Sequence, residues 1–159
     1  MKTLLETRQA IGFTQVEAAN ALHISRRKYQ MYESSKGKLS LEMEKIYDEI
    51  LNELKKYYEV TPTTGFLTID KIKQVVVKES KKHKEIHAVY LFGSYARGEQ
   101  TEESDVDLLI VDDVMGFALG GYYMDIRESL NKDVDIVSHR QLKDPDFIET
   151  VLTDAVRLY

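Results

Sequence analysis

Asp105-Val106-Asp107 sets two carboxylates two residues apart. In a strand such residues point to one face, about 6.6 Å apart at roughly 3.3 Å of rise each. Val106 and Leu108 would then face the core on the other side. Two carboxylates on one face repel unless a cation lies between or beside them. A pair of this kind can hold two magnesium ions about 3.5–4 Å apart, the spacing used for in-line phosphoryl displacement. Asp135, inside Val134-Asp135-Ile136, could supply a third carboxylate if its strand is a neighbour. Upstream stands Gly93-Ser94. Glycine lets backbone amides approach phosphate oxygens, and a serine opening a helix adds a hydroxyl donor to an anion site. An isolated Asp-x-Asp usually marks an exposed strand edge, and an isolated Gly-Ser a turn. The combination and its order carry the chemical reading.

These residues need elements to hold them. Ile86 to Phe92 is nearly continuous apolar and reads as a buried strand running into Gly93-Ser94-Tyr95-Ala96-Arg97-Gly98. A second strand follows, Asp105 to Val111, and a third, Asp133 to Val137. Between them a helix fits Phe117 to Asn131, with Leu119, Tyr123, Ile126 and Leu130 at helical steps. A helix is expected from Thr68 to about His83, although Val75-Val76-Val77 favours a strand. The tail reads as a helix from Asp146 to Thr153, then extended chain from Ala155 to Tyr159.

Gly93-Ser94, ten intervening residues, Asp105-Val106-Asp107 and the later Asp135 together resemble the signature of the polymerase-β-like nucleotidyltransferases. Leu91-Phe92-Gly93-Ser94-Tyr95-Ala96-Arg97-Gly98, Ser104 to Ile110, Leu119-Gly120-Gly121, Val134 to Val137 and the closing Ala155 to Tyr159 closely resemble the minimal nucleotidyltransferases of the MNT/MntA type, over about residues 66–159. The resemblance implies that Asp105, Asp107 and Asp135 bind magnesium, two ions in all. Asp135 would help remove the proton of the attacking hydroxyl, and Gly93 and Ser94 would hold the triphosphate of ATP. Arg97 would neutralise phosphate charge or else form a surface ion pair. Asp133 lies outside the motif and is expected to be solvated. The reaction implied is attack of a target hydroxyl on the α-phosphate with release of pyrophosphate. The catalytic segment is short, with no helical substrate domain after it, so a partner protein is expected to complete the site. The family implies a HEPN-type toxin as that partner and adenylylation of its tyrosine, making the chain an antitoxin. The alternatives are a non-catalytic repressor whose second domain only binds nucleotide or toxin, and a small-molecule nucleotidyltransferase.

The first part of the chain reads differently. Thr14-Gln15-Val16-Glu17 is a capping box before a short helix to Leu22, with Ala18 and Ala19 inward. Gly12 suits the end of a preceding helix from Leu4 to Ile11. Ser25 can cap a third helix to about Glu33, in which Tyr29 and Tyr32 share the buried face. Arg26, Arg27, Lys28 and Gln30 then point away, and such side chains neutralise phosphates or read base edges. Residues 3–50 resemble a helix-turn-helix of the XRE/Cro type, which implies DNA binding through Ser25, Arg26, Arg27, Lys28 and Gln30. A double-stranded operator of the chain's own operon is the expected target. Ser40 can cap a fourth helix to about Tyr58, long enough to pair with a second copy as a homodimer or to pack on the second domain.

Charge and composition agree with two parts. Residues 1–60 carry a net charge of +1 and residues 61–159 a net of −6. The stretch from His23 to Lys38 holds Arg26, Arg27, Lys28, Lys36 and Lys38 against Glu33 alone, which suits a local anionic partner. Cysteine is absent, which excludes disulfides, thiolate zinc sites and thiol nucleophiles. Four scattered histidines lack metal-ligand spacing. No apolar run reaches a membrane-spanning length, and the polar start does not read as a secretory signal, so a cytoplasmic protein is expected. Val60 to Gly65, with Pro62, Gly65 and three threonines, reads as a linker at 60–65 between domains at 1–59 and 66–159. The expected fold class is α+β: an all-α helix-turn-helix domain, then a small α/β nucleotidyltransferase domain with a mixed sheet flanked by helices.

Overall fold

The computed structural model describes residues 3–35, 39–113 and 117–159. Lys36 and Lys38 of the basic stretch lie outside the described residues. The chain forms two compact units, Met1–Glu59 and Val60–Tyr159.

Among the described residues the first unit has four helices: α1 (Leu4–Ile11), α2 (Gln15–Ala21), α3 (Arg26–Ser34) and α4 (Leu41–Tyr58). Each begins at a hydroxyl cap: Thr3, Thr14, Ser25 and Ser40. At Thr3 and Thr14 the cap is reciprocal, with Glu6 and Glu17 returning to the cap amide. Gly12 closes α1 in the left-handed conformation, φ 87°. Leu4, Ala18, Ala19, Tyr29, Tyr32, Ile50, Leu51 and Leu54 make the core. The alanines of α2 let α3 approach closely. Charge is also buried here: Arg8 Nε lies 2.6 Å from Glu33 Oε1, and Gln15 Nε2 donates to Glu33 Oε2 at 2.7 Å. Burial works to raise the Glu33 carboxyl, but the hydrogen bonds from Arg8 and Gln15 outweigh it and hold it below the usual carboxylate range.

The second unit is a four-stranded mixed sheet with helices: α5 (Ile69–Ser80), β1 (Ile86–Phe92), α6 (Gly93–Arg97), β2 (Val106–Asp112), α7 (Phe117–Leu130), β3 (Val134–Ser138), α8 (Pro145–Asp154) and β4 (Val156–Arg157). The strand order is β3-β2-β1-β4. β1 runs antiparallel to β2 and β4, and β2 runs parallel to β3. Val75 and Val76 lie within α5 and face the core, so burial overrides their strand preference. Thr68 stands outside α5 as its cap, and the helix ends at Ser80, short of His83. A 3-10 turn, His139–Gln141, follows β3, with Ser138 and Gln141 capping each other.

One sheet face is covered by α5 and α7. Ile72 and Val76 meet Val89, Leu91, Val106, Leu108, Ile110, Val134, Tyr122 and Ile126 in the main core. The other face carries a smaller cluster, Phe92, Leu109 and Val151, with α8 lying over it. The segment 60–65 is tied to this unit: Asp133 N–H donates to Pro62 O at 2.8 Å, and Asn131 Nδ2 donates to Val60 O at 2.7 Å. Among the described residues no helix is long and apolar enough to cross a membrane.

Candidate active site

Period-two alternation decides which face each residue of β2 takes. Val106 and Leu108 enter the main core, so Asp107 stands on the opposite face. The parallel register pairs Asp107 with Asp135 and Leu108 with Ile136, so both carboxylates leave the same face side by side. Asp105 lies one residue before β2, exposed, with Asp135 also exposed and Asp107 half-buried. Across the antiparallel ladder Phe92 is the partner of Asp107, which brings the next residue, Gly93, up to its carboxylate. A Cβ built on Gly93 would overlap Asp107 Oδ2 and stand 2.9 Å from its Cγ. Gly93 also takes φ 71°, a conformation suited to glycine.

Burial, then the charges of Asp105 and Asp135, push the Asp107 carboxyl up to about 6, while the Arg97 guanidinium works against them. Asp107 therefore sits in the field of two further carboxylates that Arg97 offsets only in part. Hard oxygen donors of this kind suit magnesium. Among the described residues no three acidic or histidine side chains are gathered closely enough to form a ready-made ion cage. The donor set fits a hard divalent ion; the side chains of Asp105 and Asp135 stand open to solvent and have room to turn toward one.

From Gly93 the chain turns through the single-turn helix α6, and Gly98 ends it at φ 72°, donating to the Ser94 and Tyr95 carbonyls. Tyr95 is fully buried and anchors the turn in the main core. Ser94 is half-buried beside the Asp107 strand. Arg97 is held by two carboxylates, Nε to Glu99 Oε2 and Nη1 to Asp154 Oδ2, each at 2.8 Å. Asp133, expected to be solvated, is ion-paired with Arg127 Nη2 at 2.8 Å. Sequence reasoning missed Lys132, which is fully buried two residues before the strand that carries Asp135. A lone lysine after a helix gives no signal of burial.

In the first unit, Ser25, Arg26, Arg27, Lys28 and Gln30 are all exposed, while Tyr29 and Tyr32 are buried. Ser25 is engaged in capping, its Oγ accepting from the Lys28 amide at 3.2 Å. The cationic side chains thus share the outer face of α3.

The family model described as "Polymerase beta, Nucleotidyltransferase" matches residues 71–159, more than half of the chain. "Putative protein adenylyltransferase MJ1379" of Methanocaldococcus jannaschii is 32% identical over 96 residues, which are 56% of this chain and 96% of that protein. "Protein adenylyltransferase MntA" of Thermococcus cleftensis is 31% identical over 99 residues, 58% of this chain and 97% of that protein. Among solved structures, "Crystal structure of the toxin-antitoxin with AMP-PNP" is 24% identical with a TM-score of 0.49, covering 55% of this chain and 72% of that one. The chain is a nucleotidyltransferase and belongs to the polymerase beta nucleotidyltransferase family.

Proposed function

We propose that the second unit transfers AMP from ATP to a hydroxyl of a protein partner, a tyrosine of a HEPN-type toxin, and that the chain acts as that toxin's antitoxin. The observation that carries the catalytic reading is the register of Asp107 with Asp135, with Gly93 pressed against Asp107. The adenylyl and protein parts are supported by the relatives, which bear the name protein adenylyltransferase over nearly their whole length. No membrane-spanning helix stands in the way of a cytoplasmic partner among the described residues.

Asp105, Asp107 and Asp135 would hold two magnesium ions. Bound there, magnesium would neutralise charge on the triphosphate and on the leaving group. The backbone amides of the Gly93-Ser94 turn and the Ser94 hydroxyl bind the triphosphate oxygens. Arg97 forms a surface ion pair with Glu99 and Asp154 and would neutralise phosphate charge by exchanging those carboxylates for phosphate oxygens. Asp135 accepts the proton of the acceptor hydroxyl. The hydroxyl oxygen bonds to the α-phosphorus, the bond from that phosphorus to the bridging oxygen breaks, and pyrophosphate leaves.

The first unit would bind a double-stranded operator. Exposed Arg26, Arg27, Lys28 and Gln30, beside the Ser25 cap of α3, support this part. Together the two units make an antitoxin that regulates its own operon.

The test combines the chain, ATP, magnesium and the toxin encoded beside it. Intact mass of the toxin should rise by one or more AMP units and stay unchanged with Asp105→Asn/Asp107→Asn. No gain with wild type rejects the catalytic part. If that chain still neutralises the toxin and binds operator DNA, it is a non-catalytic repressor. A gain on a small hydroxyl compound alone would make it a small-molecule transferase.

A further inference from the structure

Lys132 has no exposed surface, yet it carries an ammonium group. It follows Asn131, whose φ of 50° ends α7 and turns the chain toward β3. Asparagine is among the few residues that accept this conformation. From there Lys132 Nζ donates to the Gly65 carbonyl at 2.9 Å and to the Glu102 carbonyl at 2.5 Å. Gly65 lies in the segment that enters the second unit, and Glu102 in the turn just before Asp105. The neighbouring backbone completes the junction: Val106 N–H donates to Asp133 O at 3.0 Å, and Asp133 N–H to Pro62 O at 2.8 Å.

A buried ammonium is costly to keep, and among the described residues this one donates to two neutral carbonyls. Burial draws its ionisation below the ordinary lysine value, and the charges of Asp133, Glu103, Asp105 and Glu102 oppose that. Its charge is thus in the field of Asp105. For packing alone, an apolar side chain would serve as well.

We propose that Lys132 is a positioning residue for the carboxylate face: it fastens the turn at 99–105 to the start of β3, so that Asp105 is presented beside Asp107 and Asp135, and its charge acts on Asp105. The role at the ion site rests on the function proposed above; the fastening of the turn does not.

Full-length Lys132→Gln and Lys132→Arg test it, Gln keeping hydrogen-bond donors without charge and Arg keeping both. Amide exchange and Mn2+ binding, read from the free-ion EPR signal, are measured on each. In Lys132→Gln the amides of 99–105 should exchange about tenfold faster, ahead of those in β1 and β2. Mn2+ affinity should fall about tenfold, as when a partner that orients a metal ligand is lost. Lys132→Arg should restore both toward wild type. Unchanged exchange at 99–105 in Lys132→Gln overturns the proposal. So does a gain spread evenly over the sheet, which would mark general destabilisation. Equal Mn2+ affinity in all three proteins overturns the charge role. If wild type itself binds no Mn2+, the magnesium reading fails, while the exchange result still decides whether Lys132 fastens the turn.

Discussion

The Asp107 carboxylate occupies the space that a side chain on Gly93 would need. Asp107 lies in β2, and Gly93 opens α6 one step beyond the Phe92–Asp107 pair of the antiparallel ladder. The end of β1 and the acid of β2 are therefore fitted to each other, and the turn that would hold phosphate is set by the residue that would hold the ion.

Gly93→Ala follows directly. The new methyl overlaps Asp107 Oδ2, and φ 71° is strained for alanine. A displacement of about 1 Å at a reacting group costs on the order of 100-fold in rate. Nucleotidyl transfer should fall by about that factor with the unit still folded. Single-turnover transfer and circular dichroism check it; full activity would show that the close contact is not used.

Asp107 also makes stability depend on pH. Its carboxyl is raised from 3.8 to about 6 by burial and by Asp105 and Asp135. The native state then keeps a proton that the unfolded chain has already released. Stability from this group is greatest below 3.8, declines as pH rises toward about 6, and stays low above it. Asp107→Asn in EDTA should stabilise the second unit at pH 7 by about 1 kcal/mol and show little gain at pH 4, after allowance for partial solvent access. Melting curves of both proteins at the two pH values measure it. In wild type, added Mg2+ should raise the melting temperature more at pH 7 than at pH 5.

The Arg8–Glu33 pair joins α1 to α3 with side-chain exposures of 14% and 7%. Glu33 also accepts from Gln15 and from the Tyr29 hydroxyl. Removing one partner leaves the other charge buried. Arg8→Met should cost about 3–5 kcal/mol, whereas Arg8→Met/Glu33→Leu should cost much less than the sum of the single changes. Amide exchange in α1, α2 and α3 of the full chain provides the measurement.

If α3 lies along DNA phosphates, each lost contact lowers the salt dependence of binding. Arg26→Ala/Arg27→Ala should weaken operator binding and reduce the slope of log K against log salt by about 1.8, near 0.9 per phosphate contact. Titrations by fluorescence anisotropy at several salt concentrations read this slope. Tyr29→Phe, a buried position, should leave the slope unchanged.

Much of this molecule could be read from residue order. The Thr14–Glu17 box and the Ser25 and Ser40 caps began helices where expected, because capping is a local interaction between near neighbours. Apolar alternation around Asp107 put Val106 and Leu108 in the core for the same local reason. What only the tertiary structure decided are the relations between distant segments. Val75 and Val76 became helical because a core was waiting for them. The register that sets Asp135 beside Asp107, the approach of Gly93 to that acid, the Arg8–Glu33 pair and the burial of Lys132 all join residues far apart in the chain. Spacing along a sequence fixes which way a side chain leaves its own element. Strand pairing and packing fix what it meets there.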